Sequence, residues 1–129
     1  MIRRILKPEW TNFFNTIGEK YADWQTKVEI MGDDIGAQVL FPEGLPFSRV
    51  VEYQTNHLNA IYMIFGEKTG ARQTRTIFSP QNIFFETVEG APGGIIEIED
   101  KRGGKTLVYF KQPMPVLAVY PKPEALAAV

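Results

Sequence analysis

The chain has 129 residues, of which 44% are hydrophobic and 22% are charged. This size and composition are those of one domain, which can bury a core without metal or disulfide crosslinks. The 14 basic and 15 acidic residues leave a formal net charge of -1, so the overall field does not favour nucleic acid. The absence of cysteine excludes disulfides, thiol catalysis and cysteine-ligated zinc.

The N-terminal sequence MIRRILKPEW contains no apolar run of signal-peptide length. No later stretch approaches the about 18 consecutive apolar residues of a membrane-spanning helix. We therefore expect a cytoplasmic protein that has no membrane partner.

An amphipathic helix is predicted from residue 8 to about residue 21. Apolar side chains recur at every third or fourth position and so share one face of this helix: Trp10, Phe13, Phe14, Ile17 and Tyr21. Pro8 suits the first helical turn, where its missing N–H group costs nothing. Such an apolar stripe must pack against something, and the only candidate is a sheet.

From residue 24 the apolar period changes to two, which is typical of half-buried strands. The predicted strands cover residues 24–31, 36–41, 48–54, 60–65, 74–79, 83–88, 95–100 and 105–111. Pro42, Gly44 and Pro46 are predicted to break the chain between the second and third of these strands. Pro80 predicts a bend or an edge position, and the glycine-rich residues 101–104 give the best hairpin signal.

Residues 66–73 are polar and are predicted to form an exposed loop. The prolines after residue 112 exclude regular structure there, apart from a short edge strand that residues 116–120 could add. The predicted fold is therefore α+β, with residues 1–129 as a single domain. An N-terminal helix packs on a mostly antiparallel, strongly bent sheet or small partly open barrel of about six to eight strands.

No catalytic group, metal or cofactor is predicted. His57 is the only histidine and lies in a predicted loop without a nucleophile motif, which favours an ordinary loop residue over a general base. Asp33 and Asp34 follow Glu29 and have carboxylates that can hold Mg²⁺ or Ca²⁺. Adjacent aspartates beside a glycine are, however, more typical of a turn.

The candidate binding residues are His57, Arg72, Arg75, Tyr53 and Tyr62. Arg72 and Arg75 lie with Lys68 in or near one polar loop, where guanidinium groups can bind a phosphate or a carboxylate. Tyr53, Tyr62 and Phe78 supply stacking surfaces, and basic groups among aromatic rings are what single-stranded nucleic acid requires. Nearby glutamates dilute the charge, so a solvated loop and sheet face is the competing interpretation.

Residues 61–65 and 83–85 are apolar without alternation, which indicates strands buried on both faces. The helix can cover one face, and closure of the sheet or a second subunit the other. We therefore expect a non-enzymatic binding or self-associating module, with homo-oligomerisation left open. The alternative is a small β-barrel that binds single-stranded RNA, and an enzyme is the least favoured interpretation.

The stretch PEWTNFFNTIGEKYADWQTKVEIMGDDIGAQV resembles the DUF5335 family of uncharacterised bacterial proteins. The resemblance rests on these residues: Glu9 and Trp10, Phe13 and Phe14, Trp24, the strand that ends at Gly32, and Gly36, Ala37 and Gln38. The later TRTIFSPQNIFFE and residues 107–110 fit more loosely. The resemblance implies no activity, and the residues that carry it look structural.

The helix followed by a strand, Gly32 and Gly36 is also similar to the Sm-like fold, which has a helix and five bent strands. That fold forms rings and binds RNA. The strand-end aspartate and the Met-Asn pair that contact RNA there are not found at the proper spacing in this sequence, so the likeness is an analogy of fold only.

Overall fold

The computed structural model describes residues 1–32, 36–67 and 70–112, and the side chains of residues 42 and 43 are not described. The predictions made for Asp33, Asp34, Lys68 and the segment after residue 112 lie outside these residues.

The described residues form one antiparallel sheet of eight strands with a single α-helix. In chain order the elements are β1 (Ile2–Ile5), a 3₁₀ turn (Lys7–Glu9), α1 (Trp10–Lys20), β2 (Gln25–Gly32), β3 (Gly36–Gln54), β4 (Asn59–Gly66), β5 (Arg72–Phe78), β6 (Pro80–Thr87), β7 (Gly94–Asp100) and β8 (Lys105–Lys111). The strand order is β1-β6-β7-β8-β2-β3-β4-β5, and the sheet is bent but not closed. The predicted α+β fold is confirmed, and the strand number exceeds that of the Sm-like analogy.

The helix forms where its apolar stripe predicts it. Trp10, Phe13, Phe14 and Ile17 are buried, and the indole Nε1–H of Trp10 donates to the carbonyl of Ile5 at 3.0 Å. Just before the helix, the side-chain carboxylate of Glu9 accepts a hydrogen bond from the backbone N–H of Leu6. This is the contact that a glutamate makes in a capping box. A 3₁₀ turn over Lys7–Glu9 replaces the predicted first helical turn.

The long strand β3 divides the sheet into two layers. Its first half pairs with β2 and its second half, from Phe47 on, pairs with β4. We call β1, β6, β7, β8, β2 and the first half of β3 the large layer, and the second half of β3 with β4 and β5 the small layer. Their inner faces share one core that includes these residues: Phe47, Ile61, Met63, Phe65, Ile77, Ile83, Ile96, Ile98 and Val108.

The predicted chain break at Pro42, Gly44 and Pro46 is wrong, because β3 runs through it. Thr26 pairs with Leu45 and Val28 pairs with Leu40, so residues 41–44 form a bulge opposite a single residue of β2. Gly44 has a φ of 81°, a conformation that glycine adopts without strain. A bulge tolerates a proline that has no N–H to donate, and so the strand continues.

Two further boundaries differ from the predictions. Residues 2–5 form a strand that the sequence did not indicate, because only four residues pair and two of them are arginines. The loop predicted at residues 66–73 is shorter than expected, since β5 already begins at Arg72. The bend predicted at Pro80 is present, because Ser79 has a φ of 53°. Strand β6 is not an edge strand, however, since it lies between β1 and β7.

Two glycines provide a matched test of this packing. A Cβ on Gly93 would lie 2.0 Å from the carbonyl oxygen of Phe110, whereas a Cβ on Gly18 in α1 would meet nothing within 4 Å. We expect Gly93→Ala to lower the free energy of unfolding by about 1–3 kcal/mol, because the backbone must shift. Gly18→Ala should raise it by up to about 1 kcal/mol, because alanine favours the helix. Urea unfolding measures both, and equal effects would contradict the described approach of Gly93 to β8.

Candidate functional site

The outer face of the small layer carries a cluster of exposed rings. Because side chains alternate along a strand, the pairing places residues of three strands in rows. One row contains Tyr53, Ala60 and Phe78, and the next contains Val51, Tyr62 and Thr76. We call the following residues the aromatic face: Val51, Tyr53, Ala60, Tyr62 and Phe78.

The large side chains of the aromatic face are open to solvent, whereas Ala60 at its centre is buried. Phe78 is 58% exposed and Tyr53 is 46% exposed, although both belong to strands with buried opposite faces. The rings of Tyr53 and Tyr62 meet edge to face, with centroids 6.2 Å apart and planes at 64°. Edge-to-face contact is a favourable arrangement for two rings, so the pair forms one continuous aromatic surface.

The opposite end of this outer face is basic. Arg49 and Arg72 line a shallow depression of about 670 Å³ with Ser48, Ile64 and Thr74. The guanidinium Nη1 of Arg72 donates to the hydroxyl of Ser48 at 3.3 Å. The outer face therefore changes from aromatic at the Phe78 end to cationic at the Arg72 end.

Arg75 lies on the opposite face of β5 from Arg72, because the two are an odd number of residues apart. Its Nε and Nη2 groups both donate to the hydroxyl of Thr106 on β8, at 3.2 Å each. Burial lowers the pKa of Arg75, and the charge of Asp100 acts against this effect. The structure thus places Arg72 on the same sheet face as Tyr53 and Tyr62 but at its opposite end, and it places Arg75 on the other face.

His57 lies in the turn between β3 and β4, just beyond the row of Tyr53 and Phe78, and it is exposed. Its backbone N–H donates to the hydroxyl of Thr55 at 3.3 Å. Within the described ranges, no three histidine, aspartate or glutamate residues cluster as metal ligands would. The geometry of His57 is thus that of a solvated turn residue.

Sequence reasoning grouped Phe78 with Tyr53 and Tyr62 as a stacking surface, and in the structure the three share one sheet face, with Phe78 the most exposed of these rings. What it missed is that β5 begins at Arg72, because residues 66–73 were treated as a loop. The cationic residues of the turn between β7 and β8 were assigned only to a hairpin.

The outer face of the large layer carries acidic side chains, in contrast to the basic end of the small layer. A depression of about 350 Å³ is lined by Ile2, Phe84, Glu86, Ile95, Glu97, Leu107 and Tyr109. The phenol of Tyr109 donates to a carboxylate oxygen of Glu29 at 2.6 Å. This hydrogen bond, with smaller contributions from burial and from the charges of Glu29, Glu86 and Glu97, raises the pKa of Tyr109 to about 12.

The raised pKa of Tyr109 predicts a pH dependence. A raised pKa in the folded state gives stability that is complete below pH 10 and is lost as the pH rises to about 12. Glu29→Gln keeps an acceptor but removes the charge, so we expect the pKa to fall toward 10 and the alkaline loss of stability to become shallower. Ultraviolet titration of tyrosinate measures this pKa, and Tyr109→Phe identifies its signal. An unchanged titration in Glu29→Gln would contradict the assigned cause.

The described part of the chain contains no helix with the length and hydropathy of a membrane span. No curated protein is significantly similar to this chain. The crystal structure of the Bacillus subtilis YojF protein is similar in fold, with a TM-score of 0.50, 9% sequence identity, and coverage of 89% of this chain and 98% of that one. The model of a family of unknown function, DUF5335, matches residues 1–118. Because that match covers most of the 129 residues of the chain, the chain belongs to the DUF5335 family.

Proposed function

We propose that this protein is a non-enzymatic binding module that self-associates through the aromatic face. The observation that carries the proposal is the row of Tyr53, Ala60 and Phe78, whose two rings lie exposed on β3 and β5, on either side of the buried Ala60 of β4. Contiguous apolar surface on a soluble domain marks an interaction site, whereas single exposed apolar residues do not.

The layout of charge favours a second copy of the chain as the partner. Two small layers can pack face to face, as the sheets of a β-sandwich do. A two-fold axis near Tyr62 would lay aromatic row on aromatic row and carry the Arg49 and Arg72 ends of the two copies outward. Like charges then stay apart while the exposed rings are buried, and the interface is self-complementary.

Self-association is tested by removing the exposed rings. Burying one large apolar side chain is worth roughly 1.5–3 kcal/mol, so we expect Phe78→Ser or Tyr53→Ser to weaken the dimer about tenfold or more. Sedimentation equilibrium over a range of protein concentrations measures the dissociation constant.

The matched control is Val88→Ser, because Val88 is also 58% exposed but lies in the turn after β6. It should leave the dissociation constant unchanged. A wild-type protein that stays monomeric at the highest attainable concentration would overturn the proposal, as would an equal loss in the Val88 variant.

A second candidate function is the binding of single-stranded nucleic acid. The observation that favours it is that Tyr53 and Tyr62 share one sheet face with Arg49 and Arg72. Bases can stack on exposed rings while guanidinium groups contact the phosphates that follow along the strand. The nearly neutral chain provides no long-range attraction, so contacts on this face would have to supply the affinity.

Fluorescence anisotropy with a labelled mixed-sequence RNA tests this second candidate. Stacking is worth about 1–3 kcal/mol per base, so Tyr53→Ser should weaken binding by roughly 5- to 150-fold. Arg72→Gln should weaken binding and make its salt dependence shallower, whereas Arg3→Gln on β1 should change neither. Undetectable binding, or binding that salt does not affect, would exclude nucleic acid as the ligand.

A further inference from the structure

A second recess lies on the other side of β5, away from the aromatic face proposed for self-association. It is a cleft of about 750 Å³ between β5 and the turn that joins β7 to β8. Its charged lining residues are Arg75, Asp100, Lys101 and Arg102. The volume is within the range of small-molecule sites, which are about 300–1,000 Å³.

The cleft carries an excess of positive charge, because three cationic side chains face one carboxylate. The Oδ1 atom of Asp100 is occupied by the turn itself, accepting from the N–H groups of Arg102 at 2.8 Å and Gly104 at 3.0 Å. A Cβ on Gly104 would lie 2.7 Å from the other carboxylate oxygen, so this turn fits tightly around Asp100. Asp100 thus serves mainly to shape the turn that presents Lys101 and Arg102.

Arg75 forms the inner wall of the cleft. It is half-buried, and its Nε and Nη2 groups donate to the neutral hydroxyl of Thr106 rather than to an anion. Within the described ranges no carboxylate lies within ion-pair distance of its guanidinium. Burying a charge costs free energy unless the charge is paired, and the lowered pKa of Arg75 reflects that cost. An anion in the cleft would offset it.

The base of the cleft is held in place by the backbone. The N–H of Ser79 donates to the carbonyl of Asn59 at 2.8 Å, and the carbonyl of Ser79 accepts from the N–H of Lys101 at 2.9 Å. The φ of Ser79 is 53°, a conformation that a non-glycine residue adopts at a cost. These bonds fix the corner between β5 and β6 against the backbone of the cationic turn, which keeps the two walls of the cleft in place.

We propose that this cleft binds a small phosphate-bearing molecule, with Arg75 as the inner anchor and Lys101 and Arg102 as the outer ones. A guanidinium group binds two phosphate oxygens in parallel, and a lysine adds a compact point charge. Cationic groups on two walls suit a tetrahedral dianion better than a single planar carboxylate. The site is separate from the aromatic face and does not depend on self-association.

Isothermal titration calorimetry with inorganic pyrophosphate and with adenosine monophosphate tests the proposal. We expect the wild-type protein to bind at least one of these probes with a submillimolar dissociation constant. Arg75→Gln should weaken binding at least tenfold, and so should the double variant Lys101→Gln with Arg102→Gln. The control Arg3→Gln removes the same charge from β1 and should leave the affinity unchanged.

The double variant decides the outcome if Arg75→Gln does not fold, because Lys101 and Arg102 are exposed turn residues. No heat from either probe at millimolar concentration would overturn the proposal. Equal weakening in Arg3→Gln would also overturn it, because the binding would then follow net charge alone. Retention of pyrophosphate binding in the monomeric Tyr53→Ser variant would support a cleft that works without the aromatic face.

Discussion

The packing of one aromatic stripe into the bent sheet is the contact on which the rest of this structure depends. Phe13 meets Phe85 of the large layer edge to face at 5.5 Å, and Tyr21 stacks on Phe110 with centroids 4.3 Å apart and planes at 7°. Phe110 in turn meets Phe47, at the point where β3 leaves β2 for β4. The helix therefore fills the interior angle of the bend and joins the two layers.

The bend also determines which surfaces are available for binding. Because the small layer folds over the inner face of the large layer, none of the described elements covers its own outer face. The rings on that face are exposed by this geometry rather than by a loop. The same folding brings β5 close to the turn between β7 and β8, and the cleft forms where those two elements meet without pairing.

Periodicity predicted most of the fold. The helical stripe ending near Tyr21 and the alternating strands around residues 101–104 depend on side-chain spacing, which local sequence records directly. What it could not record was pairing at a distance. The prolines near residue 42 indicate a chain break in the sequence, and only the pairing with β2 shows that β3 continues there through a bulge. Strand β1 is too short to show a period of its own. Three of the candidate residues shared a face, whereas the position of Arg75 opposite Thr106 depends on a bend that no local pattern encodes.

The pairing of β1 with β6 has a consequence for how the chain acquires its structure during synthesis. Ile2 lies opposite Glu86, and the amino terminus donates to the carbonyl of Thr87. Residues 6–79 are synthesised between β1 and β6, so β1 leaves the ribosome well before its partner strand exists. The apolar face of α1, which follows β1, stays exposed to water until the sheet that covers it has been synthesised. Contacts so distant along the chain slow folding, since the closure of a long loop precedes any gain from the contact.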